Sequence, residues 1–114
     1  LHDLGRRVIC VFQPHRYSRV KALNKQYGPA FELADLVFVL PIFSAGEKLD
    51  YGLSGEEVKI AISEAFPDKF VRFVSQERIF QELQKVLKKD DLVVFMGPGD
   101  IDRIAERAMV ELND

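Results

Sequence analysis

Four short apolar runs punctuate the chain, and the residues between them repeat their apolar positions at helical spacing. The runs are Val8-Ile9-Cys10-Val11-Phe12, Leu36-Val37-Phe38-Val39-Leu40, Phe70-Val71-Arg72-Phe73-Val74 and Leu92-Val93-Val94-Phe95-Met96. Unbroken rather than alternating apolarity predicts strands covered on both faces, as in a parallel sheet. Arg72 breaks the third run and predicts a more exposed, edge strand. After the first run, Ser18 is placed to cap a helix reaching to about Ala34, with Leu23, Tyr27, Phe31 and Ala34 on one face. Gly28-Pro29 predicts a kink in it, or two helices. Lys48 to Leu53 has no period and reads as an irregular surface loop.

Ser54-Gly55-Glu56-Glu57 has the spacing of a capping box, and Val58, Ala61, Ile62, Ala65 and Phe66 give the following helix its apolar face before Pro67-Asp68 ends it. Ser75 is placed to cap a third helix, carried by Ile79, Phe80, Leu83, Val86 and Leu87 and closed by Lys88-Lys89. Ile101, Ile104, Ala105, Ala108, Met109 and Leu112 predict a last one. Leu1-His2-Asp3-Leu4-Gly5 reads as the final turn of a helix closed by Gly5, with His2 exposed, and this predicts a chain truncated at its start. The order β-α repeated four times implies right-handed crossovers and a doubly wound α/β fold, a mostly parallel sheet with helices on both faces, built as one domain over 1–114. All strand carboxyl ends then share one edge. Phe12 to Arg19, the Ser44 to Glu47 loop and the Gly97 to Asp100 turn are expected to converge there.

Composition adds little to the fold and more to the chemistry. Apolar residues make up 47% and charged residues 30%, with a formal net charge of −2, which argues against nucleic-acid and membrane-surface binding by the chain as a whole. No apolar run approaches the roughly 18 residues of a membrane span. Cys10, the single cysteine, lies mid-strand and reads as a buried thiol; without a second there is no disulfide framework, which fits a reducing cytoplasm. Against the mildly acidic background, His15, Arg16, Arg19, Lys21 and Lys25 form a basic island. Ligands of open α/β sheets bind outside the strand carboxyl ends, so the island predicts one anionic ligand, with Arg16 and Arg19 as planar forks for carboxylate or phosphate.

Several chemistries are poorly supported. No base and orienter accompany Ser44 as a nucleophile, no metal-ligand spacing occurs, and no Gly-x-x-x-x-Gly-Lys-Ser/Thr phosphate loop is present. A phosphoryl-accepting receiver would need carboxylates at the end of the first strand, where this chain has Gln-Pro-His-Arg. Gly97-Pro98-Gly99-Asp100 reads first as a strand-to-helix turn capped by Asp100, whose glycines would also admit a ligand to the backbone. Glu47 is a candidate ion-pair partner for Arg16 and Arg19.

Phe12-Gln13-Pro14-His15-Arg16-Tyr17-Ser18-Arg19, Ala34-Asp35, Ser44-Ala45-Gly46-Glu47 and Met96-Gly97-Pro98-Gly99-Asp100-Ile101 together resemble the carboxy-terminal domain of the UDP-N-acetylmuramate:L-alanine ligases of the Mur ligase family. The resemblance runs over essentially the whole chain and is most specific in the His-Arg-Tyr-Ser-Arg core. Pro98 stands where the family more often has alanine, and Gly28-Pro29 within the first helix is a second departure. The family's Asp-Asp-Tyr-x-His-His segment would lie just before Leu1, and its ATP-binding central and UDP-binding amino-terminal domains further upstream. What the resemblance implies is a cytoplasmic enzyme of peptidoglycan and cell-wall synthesis, and so of cell shape and division. It would use ATP and Mg²⁺ to activate the muramoyl carboxylate of UDP-N-acetylmuramate for attack by L-alanine. His15, Arg16 and Arg19 would bind the alanine; Tyr17, Ser44, Glu47, Gly97, Gly99 and Asp100 would form the wall. No catalytic residue and no cofactor site is implied within these residues, and the chain alone is expected to be inactive. A sister ligase adding a peptide, and a non-catalytic anion-binding module, are the alternatives.

Overall fold

The computed structural model describes residues 7–23, 26–28 and 31–97. The expected last helix from Ile101, the Gly5 helix end, His2, Lys25, Pro29, and the Pro98, Gly99 and Asp100 part of the glycine-rich turn lie outside the described residues. Within them, the four apolar runs form β1 (Val8–Phe12), β2 (Leu36–Val39), β3 (Phe70–Phe73) and β4 (Leu92–Met96). Three helices alternate with them: α1 (Tyr17–Leu23), α2 (Glu56–Ala65) and α3 (Ile79–Val86).

All three strand pairings are parallel, and the sheet order is β3-β2-β1-β4. Side chains of a strand alternate between faces, and each face meets its own helices. Ile9 and Val11 of β1 join Leu36 and Phe38 of β2 under Ile79, Phe80 and Leu83 of α3. Cys10, Val37 and Val39 face the other way, onto Val20 of α1 and Val58 and Ile62 of α2. Both faces of β1 and β2 are therefore covered, which is why these two runs are uniformly apolar. Arg72 belongs to the edge strand β3, as its charge predicts; its guanidinium lies 4.2 Å from the centroid of the Phe70 ring, out of the core.

Chain order fixes where the sheet opens. From β1 the chain steps to β2 and β3 through α1 and α2 on one face, then returns through α3 on the other face to place β4 on the far side of β1. The winding reverses between β1 and β4, so their carboxyl ends form the topological switch point of the sheet.

Local signals near the helices differ from expectation in three places. The first helix begins at Tyr17 and its described extent ends at Leu23; Ser18 is its second residue, not its cap. Gly28 has a packing reason, because a Cβ there would lie 2.7 Å from the Ala65 Cβ and 2.9 Å from the Ala61 carbonyl of α2. The capping box is displaced by one residue: α2 starts after Gly55, the Glu57 carboxylate accepts the N–H groups of Ser54 (3.0 Å) and Gly55 (3.1 Å), and Ser54 Oγ accepts that of Glu56 (3.3 Å). Ser75 does not cap α3 either. Its carbonyl accepts the Arg78 N–H at 3.2 Å, forming a turn that precedes the helix.

The amino ends of the strands are tied by side chains. Arg7 Nε and Nη2 donate to the two carboxylate oxygens of Asp91 at 3.2 and 2.6 Å, joining the residues that precede β1 and β4, and the Asp91 carboxylate also accepts the Lys88 N–H at 2.8 Å. The Arg7 guanidinium holds the Asp91 carboxyl below the ordinary aspartate range, and Asp91 in turn raises Arg7. Asp35 accepts the Val8 N–H at 2.7 Å. Lys69 donates to the carbonyls of Phe31, Glu32 and Ala34, and burial lowers its pKa against the opposing pull of Asp35 and Glu32.

Candidate functional site

At the opposite edge, the segment that leaves β1 is stitched to both neighbours. Gln13 N–H donates to the Met96 carbonyl at 2.9 Å on the β4 side. On the β2 side, Leu40 N–H donates to the Phe12 carbonyl, Phe43 N–H to that of Pro14, and Arg16 N–H to that of Phe43, at 2.8, 2.9 and 2.8 Å. His15 is thereby bridged to Phe43, their ring centroids 6.0 Å apart. The polar octet thus lies across the carboxyl ends of three strands.

Arg16 ends this stitched segment in an unusual conformation, with φ of 67°. An L-residue other than Asn, Asp or Gly seldom occupies this region, at a cost of order 1–2 kcal/mol. Its carbonyl accepts the Val20 N–H at 3.2 Å and so opens α1. Arg16 and Arg19 are both exposed, and among the described residues no carboxylate forms an ion pair with either. Lys21, expected in the same basic island, instead stands over the Tyr51 ring at 4.4 Å.

Glu47, expected as a partner of the arginines, is bonded elsewhere. Its carboxylate accepts the Ser18 hydroxyl at 2.6 Å and the Ser18 N–H at 3.2 Å, and so satisfies the first turn of α1 from a distant loop. The Ser18 hydroxyl, the backbone N–H groups of Ser18 and Tyr17, and the nearby Arg16 charge together lower the Glu47 pKa. The loop can present Glu47 because Ala45 and Gly46 both have positive φ, 53° and 89°, and the Glu47 N–H closes the turn on the Ser44 carbonyl at 3.0 Å. That is the pattern of a type I′ turn.

Gly97 brings β4 to the same place. Its φ is 141°, and a Cβ there would sit 2.6 Å from the Gln13 carbonyl oxygen, so only glycine lets the two backbones approach. Cys10 lies beneath, buried, its Sγ 3.2 Å from Met96 Sδ, and burial pushes the thiol up to about 12. Beside the octet, Gln13, Tyr17, Ser44, Ser75, Gln76 and Glu77 line a cleft of about 310 Å³ at the ends of β1, β2 and β3.

Of the residues named from sequence, the described structure brings His15, Arg16, Tyr17, Arg19, Ser44, Glu47 and Gly97 to one edge. Gly99 and Asp100 lie outside it. Sequence reasoning did not single out Gln13 within its octet, nor Gln76 and Glu77, and took Ser75 only as a helix cap. Their signal is positional: each directly follows, or lies just beyond, the end of an apolar run.

With this geometry in hand, the comparisons are specific. No protein-family model matches the chain. It is 43% identical over 100 residues, 88% of the chain, to UDP-N-acetylmuramate–L-alanine ligase of Gloeobacter violaceus. It is 44% identical over 106 residues, 92% of the chain, to the ligase of the same name from Desulfosudis oleivorans. The chain belongs to the UDP-N-acetylmuramate–L-alanine ligase family. A third member, from Rubrobacter xylanophilus, is 40% identical over 107 residues, 93% of the chain. The chain spans only 22%, 23% and 24% of the lengths of these three ligases, and so corresponds to one domain of such an enzyme. Its parallel α/β sheet is consistent with a Mur ligase carboxy-terminal domain. Among the described residues no helix is long and apolar enough to cross a membrane.

Proposed function

We propose that this chain is the carboxy-terminal, amino-acid-binding domain of the ATP-dependent ligase that adds L-alanine to UDP-N-acetylmuramate in cytoplasmic peptidoglycan precursor synthesis. The observation that carries the reading is the pair Arg16 and Arg19. Both are exposed beyond the carboxyl end of β1 without a carboxylate partner among the described residues, one of them in a conformation that costs energy. Strain of that kind persists where the surrounding structure enforces it. Here the Arg16 N–H bond to Phe43 and its carbonyl bond to Val20 do so.

On this reading the two guanidinium groups take the carboxylate of the incoming alanine, and His15 stands beside its amine or methyl group. Tyr17, Ser44, Glu47 and Gly97 form the wall, joined by Gly99 and Asp100. Glu47 acts on the site through α1, whose first turn it secures. In the parent enzyme, ATP would phosphorylate the muramoyl carboxylate, and the alanine amine would attack the acyl phosphate through a tetrahedral intermediate. Closure of this domain over the ATP-binding central domain would bring the amine to that centre. The sequence has no phosphate loop. On this reading ATP and Mg²⁺ are held by the rest of the parent enzyme, and the chain alone is expected to be inactive.

The test is ADP release by the full-length ligase that carries this chain, with UDP-N-acetylmuramate and, separately, L-alanine, L-serine, glycine and an L-Ala-D-Glu-containing tripeptide. Release requiring both the sugar nucleotide and L-alanine is expected. Release with the tripeptide alone would assign the chain to a peptide-adding sister ligase, and release with none of them would leave an anion-binding module.

A further inference from the structure

The octet contains one polar side chain that the fold leaves unfinished. Gln13 is 2% exposed, and its amide oxygen Oε1 has no hydrogen-bond partner among the described residues. A buried amide acceptor without a donor is costly and rare in a native structure, so its presence at a cleft points to a ligand that brings the donor. Its main chain is held firmly, by the bond from its N–H to Met96 and by Gly97 packed against its carbonyl. The side chain lines the 310 Å³ cleft together with Ser44, Ser75, Gln76 and the Glu77 carboxylate.

Two polarities therefore lie side by side at the end of β1. The residues lining the cleft carry acceptors, the Gln13 amide and the Glu77 carboxylate among them. Arg16, which directly precedes Tyr17 of the cleft lining, and Arg19, two residues beyond it in α1, offer only donors. A ligand matching both has an N–H donor next to a carboxylate, which is the pattern of an α-amino acid. We propose that Gln13 Oε1 accepts a hydrogen bond from the amino nitrogen of the incoming amino acid, while the arginines hold its carboxylate. The assignment rests on the amino-acid-binding reading above and adds the residue that recognises the amine. It also explains why a glutamine is kept inside an apolar sheet end: its acceptor is completed only when the substrate is bound.

The test uses the full-length ligase carrying this chain, with Gln13→Met, which keeps the volume and removes the acceptor, and Gln13→Glu, which keeps an acceptor. KM for L-alanine is measured by ADP release, and propionate, which has the carboxylate and no amine, is measured as a competitive inhibitor. Gln13→Met is expected to raise the KM for L-alanine about tenfold, leave the propionate inhibition constant unchanged and leave kcat within about threefold. Gln13→Glu is expected to restore most of the KM. A Gln13→Met enzyme whose KM stays within about twofold of the parent overturns the proposal, as does a parallel loss of alanine and propionate binding that Gln13→Glu does not rescue. Absence of alanine-dependent ADP release in the unsubstituted enzyme would instead overturn the function on which the proposal rests.

Discussion

The two ends of the sheet solve the same problem in opposite ways. At the amino ends, polar groups are closed on one another: Arg7 on Asp91, Asp91 on the Lys88 N–H, Asp35 on the Val8 N–H, Lys69 on three carbonyls. At the carboxyl ends, Gln13 Oε1 lacks a donor among the described residues, Arg16 is strained, and Arg16 and Arg19 carry exposed charge. A folded chain gains stability by satisfying its polar groups, so an edge that leaves them open is kept for another reason. One edge secures the sheet, and the other, on the proposed function, receives the ligand.

The sharpest way to break that contrast is to damage the closed edge and see whether the open one notices. The Asp91 side chain is 4% exposed and that of Arg7 29%. Asp91→Ala is expected to lower stability to urea by about 2–3 kcal/mol, the scale of losing charged hydrogen bonds at a partly buried pair. In the full-length ligase below its unfolding range, the same substitution should leave the KM for L-alanine unchanged. The pH dependence follows from sign. Because the folded pKa of Asp91 lies below its unfolded value, its contribution is fully present above about pH 4 and is lost as pH falls through the depressed folded value. Urea titrations below pH 4 should therefore show the gap between parent and Asp91→Ala closing. A gap that persists undiminished would remove the ion pair as the cause.

A smaller effect, opposite in sign for stability, sharpens the other side. Arg16→Gly relieves the positive φ at the opening of α1, and it should raise stability by up to about 1 kcal/mol while lowering kcat/KM for L-alanine in the full-length enzyme. Urea midpoints and steady-state kinetics on the one variant would show both. A loss of stability with unchanged kinetics would mean that the conformation serves the fold and not the ligand.

Much of this was legible in the residues, because the physics involved is local or periodic. Continuous apolar runs gave the four strands nearly to the residue, and Arg72 marked the edge. Strand order was not legible, since it depends on which face each crossover takes, and that is decided only when Val20, Val58 and Ile62 share one side of the sheet and Ile79, Phe80 and Leu83 the other. The same limit explains the site. The His-Arg-Tyr-Ser-Arg core stands out by composition, but the role of Glu47 does not, because its partner Ser18 lies 29 positions away and competes with the arginines only in three dimensions. Ser18 and Ser75 each had the chemistry of a cap and neither became one. A distant carboxylate serves α1 and a preceding turn leads into α3, so local propensity gave way to tertiary bonds. Gln13 was hidden for a simpler reason: whether a glutamine is satisfied is a property of its surroundings, not of its neighbours in sequence.

The central claim is that the open edge holds the amino acid by its carboxylate, and Arg19 tests it with the least ambiguity because it is exposed, lies within α1 and has a favourable backbone. The measurement is kcat/KM for L-alanine in the Arg19→Ala variant of the full-length ligase, at saturating ATP and UDP-N-acetylmuramate. The account predicts a loss of about 1.5–3 kcal/mol in transition-state binding, roughly 10- to 150-fold, with the urea midpoint unchanged. An unchanged kcat/KM for L-alanine would contradict it.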